Sequence, residues 1–199
     1  MLDTLTASLL GKRTLIIGEV GSGKTALTAR IVLDFVSMGL GSEITIIDMA
    51  PEKVSNIGGK LTDYLSSKCL ESVRYFSVEI IPPRLTSRNE EEALEYAIRN
   101  FKMLKPLLEK YLSNPTRILV INDLSIYSHA GPFEDVDACI MEAETFLANS
   151  YFGKKINGKF PKIGLRERKF IIDLLKFMDK VIVMEKLGKG VRGLLGLKA

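Results

Sequence analysis

Cysteine and histidine are scarce in this 199-residue chain and tryptophan is absent; the two cysteines are Cys69 and Cys139, and the single histidine is His129. Two cysteines cannot build a CxxC-type metal cluster or a disulfide framework, and one histidine leaves a His-rich zinc site without ligands. No apolar run reaches the roughly 18 residues of a membrane span. The opening MLDTLTASLLGKRT carries Asp3 and has neither a basic leader nor a small-residue cleavage site, so a secretory signal is not expected and the cytoplasm is the expected compartment. Glycine and proline, at 16 and 7 residues, are too few for a collagen-like or low-complexity chain.

What is present is a hydrophobic share of 46% and a charged share of 26%, which supports one globular domain over residues 1–199. The formal net charge of +4 is unevenly spread: residues 151–199 hold 13 Lys/Arg against 4 Asp/Glu. That imbalance points to a nucleic acid or another polyanion as a partner for the C-terminal quarter.

Two kinds of segment alternate. Short β-branched runs at 14–17, 44–47, 73–76, 118–121 and 181–184 read as buried strands. Between them, 24–38, 90–112, 133–149 and 165–178 read as helices. In the second of these, Leu94, Ile98, Phe101, Leu104, Leu108 and Tyr111 recur every three or four residues. Ser87 with Glu90 is its expected capping box, and Pro106 is expected to bend or split it. Segments 51–59 and 81–88 read as loops, and 151–164 as a basic loop or small insertion. The expected fold class is α/β, three-layered, with a mostly parallel sheet of about five strands covered by helices on both faces.

GEVGSGKT, Gly18 to Thr25, matches G-x-x-x-x-G-K-[ST] without mismatch, between an apolar strand and a helical segment. Gly18, Gly21 and Gly23 let the backbone curl so that its N–H groups face phosphate oxygens. Glu19, Val20, Ser22 and Ala26 complete the nucleotide-binding stretch around the following helix's positive end. Lys24 would reach the β- and γ-phosphates, and Thr25 would offer its hydroxyl to Mg²⁺. The segment resembles the Walker A element of P-loop NTPases. ILVIND, Ile118 to Asp123, is similar to their Walker B strand, with Asp123 preferred over Asn122 as the magnesium-shell carboxylate. Leu124 stands where many P-loop ATPases place a catalytic glutamate. RecA-like members instead use a carboxylate at a neighbouring strand end, which makes Asp48 the expected water-orienting residue, ahead of Glu52 and Glu19.

GEVGSGKTAL also looks like the opening of the nickel-insertion GTPases, but no [NT]KxD guanine-reading motif follows, so ATP is expected over GTP. An ABC-type signature is missing as well. Ser125 and His129 stand where γ-phosphate sensors would lie, and Arg84 with Arg88 is one possible finger pair. Lys154, Lys155, Lys159, Lys162, Arg166, Arg168 and Lys169 form a basic stretch interleaved with Tyr151, Phe152 and Phe160. It suits a solvated face, a phosphate contact, or a finger reaching a neighbour in a homo-oligomer. Three functions stay open: a Mg-dependent ATPase, a small-molecule or nucleotide kinase with a basic lid, and a low-turnover switch contacting nucleic acid.

Overall fold

The computed structural model describes residues 2–53, 59–153 and 159–185. In chain order the elements are α1 (Leu2–Ala7), β1 (Arg13–Gly18), α2 (Lys24–Ser37), β2 (Ile44–Asp48), α3 (Ser67–Ser72), β3 (Arg74–Ser77), α4 (Pro83–Thr86), α5 (Glu90–Ser113), β4 (Ile118–Asn122), α6 (Ser125–Ser128), α7 (Phe133–Glu142), β5 (Thr145–Tyr151), α8 (Pro161–Leu175) and β6 (Lys180–Met184). The strands form a six-stranded sheet in the order β3-β2-β4-β5-β1-β6, parallel throughout.

Both faces of the sheet are apolar because alternate residues of each central strand enter different cores. Leu15, Ile17, Leu119, Ile121, Phe146 and Ala148 meet α5, α7 and α8 on one side. Ile16, Ile44, Ile46, Ile118, Val120 and Leu147 meet α2 and α3 on the other. The two cysteines lie in opposite layers, Cys69 among the α2-side residues and Cys139 among the α5-side ones, and both are free and buried. At the sheet margin β6 is thinly covered: Val181 and Val183 are exposed.

The expected helix over 133–149 needs correction. It ends at Glu142, and Thr145–Tyr151 is instead a fully buried central strand, which raises the strand count to six. Asn149 and Ser150 hide this strand from a hydrophobicity pattern, yet both are buried because the strand is enclosed on each face. α8 starts at Pro161, inside the expected loop 151–164, and residues 154–158 of that loop lie outside the described residues. The expected loop 81–88 contains α4; residues 54–58 of the loop 51–59 also lie outside the described residues.

α5 runs unbroken through Pro106. Pro106 and Lys102, whose carbonyl loses its helical partner, both face solvent, so water satisfies the freed group. The N-cap is Asn89, whose side chain accepts from Glu92 N at 2.9 Å, so the Ser87–Glu90 box does not form. Ser87 closes α4 instead. An N-cap of this kind contributes about 1 kcal/mol, and Asn89→Ala is expected to lower stability by that amount in urea denaturation without changing the slope.

Candidate functional site

The C-terminal ends of β1, β4, β5 and β2 gather the polar residues of interest along one sheet edge. The glycine-rich turn leaves β1 and enters α2 there. Gly21 and Gly23 have φ of 72° and 93°, the left-handed region that glycine adopts without strain. Gly23 is the N-cap of α2 and offers no side-chain partner to the helix's first N–H groups. Those amides and the dipole behind them make an anion-binding end on a helix of 14 residues. Gly18 is needed for a different reason: a Cβ there would stand 2.3 Å from the Met184 carbonyl oxygen of β6.

Lys24 is folded across this turn. Its Nζ donates to Gly18 O at 3.0 Å and to Glu19 O at 2.8 Å. Burial pushes its pKa below the usual lysine value, partly offset by the charges of Asp123, Glu19 and Glu167. The loop thus holds its own cation against two of its carbonyl oxygens.

Asp123 lies just beyond β4 with φ 55°, the one non-glycine positive φ among the described residues. Its N–H donates to Asn149 Oδ1 at 3.1 Å, and the Ser125 hydroxyl donates to its Oδ1. Burial pushes the Asp123 carboxyl up, against the Ser125 hydrogen bond and the nearby charge of Lys24, which pull it down. Asn122, the alternative, has its side chain held by Asp48 and Asn149, and Asn149 also accepts from the Asp123 N–H. The charges of Asp123 and Lys24 act on each other.

The network around Asn122 crosses four strands. Tyr75 Oη donates to Asp48 Oδ2 at 2.8 Å, Asn122 Nδ2 to Asp48 Oδ1 at 2.7 Å, and Asn149 Nδ2 to Asn122 Oδ1 at 2.7 Å and to Thr28 Oγ1 at 2.8 Å. Thr28 Oγ1 in turn donates to Lys24 O at 3.0 Å. Strand register aligns the chain, since Asp48 pairs with Asn122 and Asn149 with Ile16. Asp48 also accepts from Ala50 N at 3.2 Å and Leu61 N at 2.6 Å. Both its oxygens are thus taken by protein donors. Asn149 and Thr28 went unnoticed in the sequence, where nothing marks them, because parallel pairing between distant segments brings them together.

The six-stranded parallel sheet with helices on both faces is consistent with the fold class expected from the sequence. The glycine-rich turn joins β1 to α2, Asp123 directly follows β4, and β5 lies between those two strands.

The remaining expected residues divide clearly. Lys159 Nζ donates to the carbonyls of Arg84 and Ser87, Arg166 to Ala130 O at 2.7 Å, and Lys162 pairs with Glu90. Arg168 stacks over Phe152, 5.0 Å from the ring centre. Tyr151 and Phe160 are buried, so they anchor this region to the core and leave no stacking surface of their own. Lys154 and Lys155 lie outside the described residues. Arg88 is exposed and pairs with Glu92, as an ordinary surface bridge would. Arg84, by contrast, is buried against Glu167, with Nη2 2.6 Å from Oε2. Glu167, the lone acid of the basic stretch, is the functional candidate that sequence reasoning passed over.

No family model matches the chain, and no curated protein matches it. Among solved structures, a match is the Pif1 helicase from Candida albicans, 15% identical with a TM-score of 0.41. The match covers 93% of this chain and 38% of the helicase chain, so this chain spans well under half of that protein's length. No described helix is long and apolar enough to cross a membrane.

Proposed function

We propose that this chain binds Mg·ATP and hydrolyses it to ADP and phosphate. The observation that carries the reading is the Lys24 ammonium lying across a glycine turn at a helix N-terminus, with the buried carboxylate of Asp123 nearby. Amides from Gly18, Glu19, Val20, Gly21, Ser22, Gly23, Lys24, Thr25 and Ala26 form the phosphate cradle. A triphosphate replaces two neutral carbonyl acceptors of Lys24 with anionic ones, which are roughly twice as strong as partners.

The residues present fit Mg²⁺. No cluster of three or more His, Cys, Asp or Glu among the described residues could hold a metal unaided. One carboxylate and one hydroxyl, Asp123 and Thr25, suit an ion that is usually completed by water and phosphate oxygens. When bound, the ion would neutralise charge on the β- and γ-phosphates. Ser125 fixes the rotamer of Asp123, and Asp48 is the keystone of the network that sets α2 against β4 and β5. With its oxygens filled, Asp48 is better suited to that positioning work than to orienting water.

The kinase alternative calls for a mobile basic lid. Lys159, Lys162, Arg166 and Arg168 are engaged within the molecule, which favours hydrolysis. Titration calorimetry with Mg·ATP and Mg·GTP, followed by product analysis with a panel of nucleosides and metabolites, tests the reading. Tighter ATP binding and free phosphate support it. A phosphorylated acceptor would make the protein a kinase, and no heat with either nucleotide would sink the proposal. Salt-sensitive binding of single-stranded DNA or RNA at low ionic strength would add the polyanion partner suggested by the charge of residues 151–199.

A further inference from the structure

Three buried polar groups stand together beside the phosphate loop, and the roles assigned above use none of them. Glu167, His129 and Arg84 are 3%, 3% and 8% exposed. Arg84 comes from α4, whose approach is clamped by Asn100 of α5. The Asn100 amide donates to Ile81 O at 2.7 Å and accepts from Ile81 N at 3.2 Å. The guanidinium stacks over the Tyr151 ring, 5.5 Å from its centre, and Tyr151 pairs with Gly18, the first residue of the loop. His129 caps α6, the short helix that follows Asp123, and α8 packs against α6. The Glu167 charge is felt by both Lys24 and Asp123.

Within this cluster the hydrogen bonding is incomplete. Arg84 holds Glu167 Oε2, but Oε1 has no hydrogen-bond partner among the described residues, and neither has either ring nitrogen of His129. Buried polar atoms are seldom left this way, because an unsatisfied one costs about 1–3 kcal/mol. Oε1 and His129 Nε2 are 3.6 Å apart, too far for a hydrogen bond between them.

The geometry points to Glu167 as the group that orients the attacking water, with Arg84 fixing one of its oxygens and His129 facing the other. This rests on the ATPase reading and supplies the function that Leu124 and the saturated Asp48 leave open. In the step, the water oxygen bonds to the γ-phosphorus as the bond from phosphorus to the bridging oxygen breaks. The electron pair of the broken bond stays on ADP. The proton shed by the water passes to Glu167 Oε1 and then to the released phosphate.

Glu167→Gln keeps the shape and an acceptor for Arg84 while removing the proton acceptor. Measured on the full chain, its turnover is expected to fall on the order of 100-fold or more. Affinity for Mg·ATP should stay within about threefold, and intact ATP should be recovered from the quenched complex. Because Arg84 would lose a buried counter-charge, the double variant Arg84→Gln/Glu167→Gln is measured beside it, with melting curves for all three proteins. Loss of turnover with binding retained, in whichever variant is folded, supports the assignment. Turnover within about threefold of the parent overturns it while leaving the ATPase reading intact. A lowered melting temperature with turnover and binding reduced together also overturns it, since that is the mark of a structural ion pair. If the parent itself binds no ATP, both readings fall.

Discussion

Lys24→Ala is expected to reduce phosphate release from Mg·ATP by about a thousandfold or more, because charge stabilisation supplies most of phosphoryl-transfer catalysis. The variant loses the cation that bridges Gly18 O and Glu19 O, and Asp123 loses the Lys24 charge that holds its carboxyl down. Nucleotide affinity should fall as well, which calorimetry would record alongside the phosphate assay. Normal binding and turnover in this variant would remove the basis of the proposed function. The fold should survive. Lys24 has a depressed pKa, so the unfolded chain binds that proton more tightly than the folded one. Its contribution to stability therefore rises with pH through the window just below 10.5, and Lys24→Met should flatten that rise in denaturation curves taken across the range.

The second large effect concerns folding. Asp48→Ala would leave Ala50 N, Leu61 N, Tyr75 Oη and Asn122 Nδ2 without an acceptor in a region closed to solvent. The expected loss is about 3–5 kcal/mol, read as a lower urea midpoint at unchanged slope. A loss below about 1 kcal/mol would mean that the network is not a keystone. Asp48 also has a pH signature. Burial raises its carboxyl above 3.8 despite four hydrogen bonds that lower it. A raised carboxyl pKa favours the folded state at low pH, and that contribution declines as pH climbs through the folded-state value. Asp48→Asn should remove the decline while costing less than alanine, since its amide oxygen can keep some of the donors.

Much of this was readable from the chain itself. The phosphate loop declares itself because its chemistry is local: eight consecutive residues contain the glycines, the lysine and the hydroxyl. Five strands declare themselves for the same reason, as does the helical stripe of α5. β5 stayed hidden because TFLANSY places Asn149 and Ser150 in a strand enclosed on both faces, where Asn149 bonds to partners from β4 and α2 and Ser150 to the Tyr151 carbonyl. The cap of α5 moved from Ser87 to Asn89 because the chain preceding it was already committed to α4. Asp48 was found as a strand-end carboxylate, but its four donors come from segments 2 to 74 residues away, and no spacing rule reveals them. Glu167 carried one faint signal, an acid alone among seven bases. Its meaning came only from the burial that sets it against Arg84 and His129.

The central sheet separates the two sulfur atoms, and burial raises both thiol pKa values, that of Cys139 to about 12. An intramolecular crosslink is therefore barred while the sheet is intact, and alkylating reagents must wait for the protein to open. Each thiol acts as a clock for its own layer. The labelling rate at Cys69 times the loosening of α3 from the sheet, and the rate at Cys139 times the release of α7, so one native chain can report whether its two sides come apart together.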